Sequence, residues 1–307
     1  MSRTTKKQLR SSVKTKTAFS KRSVQIFSRH PSHDPLRRSI FLSGIRACVR
    51  FGSHTKGSVK YNVELNSASN IDNSANKLLM KRMFTAANVK TAAWVDPADC
   101  TAASKKTIVT ECEKLGFPII AKHIFGSKNT GNYKLDTIEE LTSWLKGRTV
   151  SNYIFEKFHN FNREYRLHVT KNNYFYACRK MLKNETPDDK RWYRNDENSV
   201  WITEFAPLKD ANGVIIGESK NDNTLFDRPV NFKSIAEECV KAVNAVGLDF
   251  GACDVRVQSS KTEKGKTREN PDFIIIEINS APGLGTLGVI KYKEMIPTLI
   301  NEKLNGK

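Results

Sequence analysis

Short runs of apolar, often β-branched residues alternate along the chain with longer segments in which apolar positions recur at helical spacing. The apolar runs predict buried strands at residues 39–51, 118–123, 152–158, 163–169, 174–182, 252–257 and 273–278. The helical spacing predicts helices at residues 75–87, 102–115, 137–146, 232–246 and 290–304. Such a mixture of strands and helices predicts an α+β protein.

One predicted strand, residues 273–278, carries a carboxylate within its apolar run. Glu277 interrupts a series of isoleucines, and a buried carboxylate is costly unless it is paired. Because side chains alternate across a strand, Glu277 and Asn279 face the same side. Two oxygen ligands therefore lie side by side where the strand leaves the core. This arrangement suits Mg²⁺ held jointly by protein and phosphate oxygens.

A second predicted strand, residues 252–257, supplies a further carboxylate. Asp254 and Arg256 lie on one face of this strand, and apolar residues lie on the other. Residues 258–270 are polar and predict a long hairpin loop, so antiparallel pairing would bring Asp254 against Glu277. The same pattern also fits an exposed stripe of charge in which Glu277 is paired with a lysine.

The run Glu-Ile-Asn-Ser-Ala-Pro-Gly at residues 277–283, preceded by Asp254, resembles the metal-binding end of the ATP-grasp superfamily. This superfamily includes the carboxylate–amine ligases D-alanine–D-alanine ligase and ribosomal-protein glutamate ligase. The resemblance covers residues 70–290 and implies an α+β ATP-grasp fold of two subdomains, with the nucleotide held between antiparallel sheets. It also implies bound ATP and two Mg²⁺ ions, replaceable by Mn²⁺, with Asp254, Glu277 and Asn279 as metal ligands.

The resemblance extends to elements that bind phosphate. Lys122 lies at the end of a predicted strand, and the polar loop after it is framed by Gly126 and Gly131. Glycines let backbone N–H groups approach phosphate oxygens closely. In ATP-grasp proteins such a lysine binds the α and β phosphates, and such a loop closes over the triphosphate. The implied phosphate contacts come from Lys77, Lys122, Ser127, Lys128, Thr130 and Gly131.

The following strands match the adenine and ribose part of the family. The resemblance implies that Glu156 accepts from the adenine amino group and that the backbone of Lys157 and Phe158 pairs with the ring edge. Glu164 corresponds to the acid that binds the ribose hydroxyls. Asn195, in a polar loop, corresponds to an asparagine that helps to hold phosphate or metal. The structural alternative for Glu164 is a cross-strand ladder of Glu and Arg pairs.

Three cations are predicted to act on the transferred phosphate. Arg166 shares a strand face with Glu164, where the family has a basic residue that faces the phosphates or the carboxyl substrate. Arg179 and Lys180 lie near the end of the strand at residues 174–182. Cationic side chains at these places would offset the charge that spreads over the transferred phosphoryl group.

The charge of the chain is unevenly distributed. The 307 residues carry a formal net charge of +19, and residues 1–38 hold eleven Lys or Arg and one acidic residue. Because this segment is also rich in Ser and Thr and broken by Pro31 and Pro35, we predict a basic disordered arm. Such an arm attracts nucleic acid or another polyanion. The alternatives are a solvated tail and an organelle transit peptide.

The remaining composition bounds the class of protein. No apolar run approaches the ~20 residues that span a bilayer, and the six cysteines show no disulfide or zinc spacing. A cytoplasmic protein with reduced thiols is therefore predicted. Residues 39–73 leave room only for a shortened N-terminal domain, a departure from the family. The two ATP-grasp subdomains are then predicted at residues 74–155 and 156–307.

Together these elements predict an ATP- and Mg²⁺-dependent ligase. By the resemblance, a carboxylate attacks the γ-phosphorus, an acylphosphate forms, and an amine displaces phosphate to leave an amide bond. The carboxylate and amine belong to a small molecule, peptide or protein that the sequence does not identify, although the positive charge fits an acidic acceptor. Two alternatives stay open. One is a nucleic-acid-associated or viral structural protein with a relic ATP-grasp body, and the other is a kinase-like phosphotransferase.

Overall fold

The structure, a computed structural model, describes residues 22–28, 30–42, 44–56, 59–97, 105–126 and 130–306. Three main sheets organise these residues: a small parallel sheet near the N-terminus, a four-stranded antiparallel sheet and a five-stranded antiparallel sheet. No helix of the described ranges is long and apolar enough to cross a membrane.

The first described residues form a small α/β unit whose parallel sheet has the order β2-β4-β5. Helix α7 (Thr286–Leu304), from the other end of the chain, packs on this sheet and closes a shared apolar core. The elements of the unit are β1 (Arg22–Ser23), β2 (Gln25–Ser28), α1 (Asp34–Arg37), β3 (Phe41–Leu42), β4 (Ala47–Phe51) and β5 (Val63–Leu65).

The predicted disordered arm extends too far into the chain. Val24 and Ile26 are buried beside β4, and Leu36 is fully buried against α7. These apolar side chains bury enough surface to hold the segment in the fold despite its charge. The prediction of an arm ending at residue 38 was therefore wrong for residues 24–28 and 30–38. Residues 1–21 lie outside the described ranges, so the arm itself stays a prediction.

The helix predicted at residues 75–87 corresponds to one helix at residues 77–86, and a shorter helix that was not predicted precedes it. Asn76 separates them because its backbone is extended, with ψ 108°, and its side chain accepts hydrogen bonds from the N–H groups of Leu78 and Leu79. This cap places Lys77 at the first position of the second helix. The two helices are α2 (Ala68–Ala75) and α3 (Lys77–Ala86).

The four-stranded antiparallel sheet has the order β6-β9-β7-β8, and helices α4 and α5 pack on it around one apolar cluster. The boundary predicted between residues 155 and 156 falls inside β9, so the chain leaves this sheet only after Lys157. The elements are β6 (Trp94–Val95), α4 (Lys105–Leu115), β7 (Ile119–His123), β8 (Asn132–Leu135), α5 (Ile138–Trp144) and β9 (Tyr153–Lys157).

The five-stranded antiparallel sheet has the order β12-β11-β10-β15-β16. Helix α6 packs on one face and buries the largest apolar cluster, and the other face is turned towards the four-stranded sheet. A separate hairpin, β13–β14, projects beside it. The elements are β10 (Arg163–Thr170), β11 (Tyr174–Leu182), β12 (Ser199–Thr203), β13 (Phe205–Lys209), β14 (Ile215–Asp222), α6 (Phe232–Ala245), β15 (Phe250–Val257) and β16 (Phe273–Asn279).

Strands β15 and β16 pair in the predicted register, with Asp254 opposite Glu277. Arg166 on β10 lies opposite Asp254 on its other side, so three charged residues form one row across three strands. A β-bulge next to Asp254 then shifts the pairing so that Val255 lies opposite Ile275. As a result Ile276 and Glu277 both face the cavity described below.

Asn66 joins the N-terminal unit to the five-stranded sheet. It is fully buried and has a left-handed backbone, with φ 57°. Its N–H donates to Asp249 Oδ2 at 2.7 Å, and its Oδ1 accepts from the N–H groups of Asp249 and Phe250 at 2.8 and 3.2 Å. Its Nδ2 donates to the Phe250 carbonyl at 3.0 Å. One side chain thus fixes where β15 begins relative to the N-terminal sheet.

We expect Asn66→Ala to lower the free energy of unfolding by about 3 kcal/mol or more. The change leaves two buried N–H groups unpaired, at roughly 1–3 kcal/mol each, and places alanine in a left-handed backbone. The matched control is Asn88→Ala, since Asn88 has a similar φ of 53° but is exposed. Urea denaturation should show a loss of about 1 kcal/mol for the control, and equal losses for the two variants would contradict this role of Asn66.

Candidate functional site

A cavity of about 1140 Å³ lies between the two antiparallel sheets. Its walls come from both sheets, from the loop that follows β16 and from His30 of the N-terminal unit. Most of the residues singled out in the sequence line it. They are Lys77, Lys122, Thr130, Glu156, Lys157, Phe158, Glu164, Arg166, Lys180, Asn195, Asp254, Glu277 and Asn279.

Asp254 is held at the centre of the cavity floor by two cations. Arg166 binds it in a bidentate manner, with Nε at 2.7 Å from Oδ1 and Nη2 at 2.8 Å from Oδ2, and Lys180 Nζ donates to Oδ2 at 2.9 Å. Burial alone would raise the pKa of Asp254, but the charges and hydrogen bonds of Arg166 and Lys180 outweigh it and hold the pKa well below its usual range. Asp254 is therefore ionised.

A second row of charges lies beside the first on the same face of the sheet. Glu164 is opposite Lys180 on β11 and opposite Arg256 on β15. Its Oε1 accepts from Lys180 Nζ at 3.0 Å and its Oε2 from Arg256 Nε at 3.2 Å, and Arg194 Nη1 lies 3.8 Å from Oε2. Burial opposes ionisation of Glu164, but Lys180 and Arg256 together lower its pKa. The ladder of acidic and basic pairs weighed in the sequence analysis is thus present in the cavity floor.

Glu156, on the opposite wall, is also held between two cations. Its Oε2 accepts from Lys122 Nζ at 2.6 Å, and its Oε1 lies 3.2 Å from Nζ of Lys81, which is fully buried. Burial lowers the pKa of Lys81 to about 8, although Glu156 works in the opposite direction. Lys81 follows Lys77 by four residues, one helical turn, and this spacing is the sequence signal that could have revealed it.

The candidate metal ligands form a set of oxygen donors. The carboxylate of Glu277 is 28% exposed, with Lys77 Nζ at 3.5 Å, and Asn279 Nδ2 lies 3.4 Å from Asp254 Oδ2. The described ranges contain no group of three or more His, Cys, Asp or Glu that could hold a metal ion. Two carboxylates and an amide fit Mg²⁺ if phosphate oxygens complete its coordination. They do not form an all-protein metal cage.

The architecture is similar to that of solved ligases. D-alanyl-alanine synthetase A from Vibrio cholerae matches with a TM-score of 0.54 and 13% identity, over 86% of this chain and 80% of that chain. D-alanine–D-alanine ligase from Bacillus anthracis in complex with ATP matches with a TM-score of 0.51 and 15% identity, over 85% of this chain and 80% of that chain. At such identities the likeness is one of fold. The chain has the ATP-grasp fold.

A third solved structure is matched over a smaller share of its length. It is the ATP-grasp ligase PsnB in complex with a minimal precursor, with a TM-score of 0.46 and 11% identity over 77% of this chain and 65% of that chain. No protein-family model matches the sequence, and no curated protein matches it at a significant level.

Arg179, one of the predicted catalytic residues, lies outside the ATP-grasp cleft. Side chains alternate across β11, so Lys180 faces the cleft while Arg179 faces the other side of the sheet. Arg179 Nη1 donates to the Leu225 carbonyl at 2.9 Å and lies 3.5 Å from Asp227 Oδ2. The prediction that both neighbouring cations face the γ-phosphate was therefore wrong for Arg179.

The Gly-rich loop of the ATP-grasp cleft is described only in part. Ser127 and Lys128 lie outside the described ranges, and Thr130 lines the cleft. Gly131 has φ 75°, and a Cβ atom there would lie 2.9 Å from Cβ of His123. Gly131 therefore allows the turn between β7 and β8, while its role towards a nucleotide stays a prediction.

The predicted adenine contacts from the backbone need one correction. The N–H of Lys157 donates to the Ala93 carbonyl at 2.8 Å, and the N–H of Phe158 donates to the Pro118 carbonyl at 3.0 Å. Both groups are held within the sheet, so they are not available as donors to a ring edge. The Lys157 ammonium group is turned away as well, towards the carbonyls of Gly116 and Phe117 at 2.9 and 3.0 Å.

The sequence analysis missed the N-terminal contribution to the ATP-grasp cleft. His33 lies between Ser28 and the loop after β16: its Nδ1 is 2.7 Å from Ser28 Oγ and its Nε2 is 2.9 Å from the Pro282 carbonyl. His30 lines the cleft, and its Nδ1 accepts from the Ser32 N–H at 3.2 Å. Assigning residues 1–38 to a disordered arm hid both histidines. The alternation of Val24 and Ile26 was the signal against that assignment.

We expect His33 to make the protein less stable as the pH falls. Burial is the main cause that lowers the pKa of His33 to about 4, below the ordinary value of 6.5. Between these values the unfolded chain binds a proton that the folded chain does not, so stability decreases as the pH falls from 6.5 to 4. His33→Asn should reduce this slope by roughly 1.4 kcal/mol per pH unit.

Urea denaturation at several pH values between 4 and 7 would measure this slope. Burial also lowers the pKa of His168, to about 3. His168 therefore contributes to the same acid dependence, and its contribution should remain in the His33 variant. His54→Asn is the matched control, because the His54 side chain is 52% exposed. An unchanged slope in His33→Asn, or an equal reduction in both variants, would contradict the assignment.

Proposed function

We propose that the chain is an ATP- and Mg²⁺-dependent ligase that joins a carboxylate to an amine through an acylphosphate. The observation that carries this proposal is the row formed by Arg166, Asp254 and Glu277 on the floor of the cleft between the two sheets. The row combines acidic ligands for a metal ion with one buried cation, Arg166, for phosphate. A surface stripe of charge would not be enclosed in this way.

The metal would be held by Glu277, Asn279 and Asp254. Glu277 is the most accessible carboxylate of the three, and Oδ1 of Asp254 accepts one hydrogen bond within the described residues, which leaves a lone pair for a cation. When bound, Mg²⁺ would neutralise charge on the transferred phosphoryl group. The side chains of the chain itself carry the rest of the mechanism.

Four cations are proposed to bind the phosphates. Lys122 and Lys77 approach from the four-stranded sheet and helix α3, and Arg166 and Lys180 lie in the opposite floor. Each lies beside a carboxylate that holds it in position before the nucleotide arrives. Such fixed charges stabilise a transition state without the cost of reorganising solvent.

The proposed reaction balances without a protein nucleophile. A carboxylate oxygen of the substrate attacks the γ-phosphorus, and the bond from that phosphorus to the bridging oxygen of ADP breaks. The amine then attacks the carbonyl carbon of the acylphosphate, and phosphate leaves with the bonding electron pair. The amine proton passes to solvent or phosphate. The enzyme positions the groups and offsets their charge.

The substrate carboxylate is proposed to enter beside the loop at residues 280–285. His30 lines this end of the cleft. Its Nδ1 accepts hydrogen bonds from the N–H of Ser32 at 3.2 Å and from Ser32 Oγ at 2.7 Å, which in turn accepts from the Leu284 N–H. These bonds place the proton of a neutral His30 on Nε2. His30 therefore offers a donor, which suits an acidic acceptor such as a glutamyl peptide.

The test is to supply hydroxylamine as the amine and to screen carboxylates for hydroxamate formation. An acylphosphate that forms in the cleft will be trapped as a hydroxamate, with equal amounts of ADP and free phosphate. We expect Glu277→Gln to reduce the rate roughly 100-fold or more. Substituting residues that only hydrogen-bond to metal ligands already lowers metal affinity or activity about 10–100-fold. Coupled ADP and phosphate assays provide the measurement.

The matched control is Glu113→Gln, an exposed glutamate on α4 that should leave the rate unchanged. ADP formation without phosphate or hydroxamate would instead support the kinase-like phosphotransferase. Failure to bind ATP in the presence of Mg²⁺ would contradict both activities and favour a protein with a relic ATP-grasp body.

A further inference from the structure

A second cavity, of about 320 Å³, lies beside the nucleotide cleft at the end of the five-stranded sheet. We call it the basic chamber. The loops at residues 158–162 and 191–194 form its walls, and the end of β11 forms its floor. Among the described residues, its lining includes five basic residues and no acidic one. They are Arg179, Lys180, Arg191, Arg194 and Arg256.

One guanidinium group of the basic chamber, that of Arg194, is incompletely paired. Its Nε is buried and has no hydrogen-bond partner among the described residues. The Arg194 side chain is only 5% exposed, and its other contacts are the Asn162 carbonyl and the distant oxygen of Glu164 at 3.8 Å. Because buried charged donors are normally paired, this incomplete pairing of Arg194 favours a bound anion over a finished packing arrangement.

The charge around the basic chamber is also unbalanced. Glu164 lies at its border and is shared among Lys180, Arg256 and Arg194. Burial, and after it the neighbouring guanidinium groups of Arg256 and Arg179, lower the pKa of Arg194 to about 10 against the opposing effect of Glu164. A bound anion would reduce the mutual repulsion among these confined cations.

We propose that the basic chamber binds a phosphate-class oxyanion. A tetrahedral oxyanion offers several acceptor oxygens, and guanidinium groups bind such oxygens through paired N–H donors. A volume of about 320 Å³ exceeds the need of one small anion, so a larger group that carries the phosphate also fits. This assignment does not depend on ligase activity.

The basic chamber is separate from the proposed place of the transferred phosphate. Lys180, Glu164 and Arg256 form one row across the sheet, and Arg166 and Asp254 belong to the next row. The rows are two residues apart along the strands, or ~7 Å, and the chamber lies beyond the first row. Two sources of the phosphate are therefore consistent with it: free phosphate, and a phosphate on the ribose of a nucleotide in the cleft.

Titration calorimetry with inorganic phosphate at constant ionic strength tests whether the basic chamber binds phosphate. We expect saturable binding that is at least tenfold weaker in both Arg194→Gln and Arg191→Gln. Arg191 is exposed at the rim, so its variant should fold even if the Arg194 variant does not. Arg46→Gln, an exposed arginine on the N-terminal unit, is the matched control and should bind as the wild type does.

Lys122→Gln distinguishes phosphate binding in the basic chamber from phosphate binding in the ATP-grasp cleft, because Lys122 lines only the cleft. Phosphate binding that is lost in Lys122→Gln and kept in the arginine variants would overturn the proposal. Such a result would leave the proposed ligase function intact. Conversely, binding at the chamber should persist in Glu277→Gln, whatever that change does to activity.

Three adenosine nucleotides distinguish the two sources. If the phosphate is carried by the ribose, adenosine 2′,5′- or 3′,5′-bisphosphate should bind at least tenfold more tightly than AMP, and Arg194→Gln should abolish the difference. If free phosphate is the ligand, inorganic phosphate should bind and the bisphosphates should bind no better than AMP. The absence of both effects would overturn the proposal.

Discussion

The bidentate ion pair between Arg166 and Asp254 is the constraint on which the cleft depends. Both residues are nearly enclosed by protein, and an unpaired charge at this depth would be strongly destabilising. A shift of one residue between β10 and β15 would turn Asp254 towards the apolar core under α6. The ion pair therefore favours one register between β10 and β15. The pairing of β15 with β16 then places Glu277 opposite Asp254 and brings Asn279 close to it.

The ion pair is also part of a larger set of charges that lines the cleft before any ligand arrives. Lys180 links the two rows because it donates to both Asp254 and Glu164, and Trp201 lies 4.9 Å from the Arg166 guanidinium and 5.2 Å from the Lys180 ammonium. The row that contains Glu164 borders the basic chamber. The two cavities therefore share Lys180, Arg194 and Arg256 as lining residues.

Much of this arrangement could be predicted because it is local in sequence. A carboxylate in an apolar strand and the period of two along β15 and β16 were enough to place Glu277 opposite Asp254. The same period, applied to β11, would have excluded Arg179 from the cleft. Long-range partners could not be predicted in this way. The spacing from Lys77 indicates Lys81, but nothing in the sequence pairs Lys81 with Glu156, and nothing near His33 indicates Pro282. The high charge of the segment also concealed the apolar residues that hold residues 24–28 and 30–38 in the fold.

The central claim is that Asp254, Glu277 and Asn279 hold a metal ion together with a nucleotide. Crystals grown with Mn²⁺ and a non-hydrolysable ATP analogue test it directly, because Mn²⁺ is located by its anomalous scattering. We expect an anomalous peak in contact with Glu277 and Asn279, with the analogue between the two antiparallel sheets. A nucleotide bound in that cleft without a peak at these residues, or a nucleotide bound elsewhere, would contradict the account.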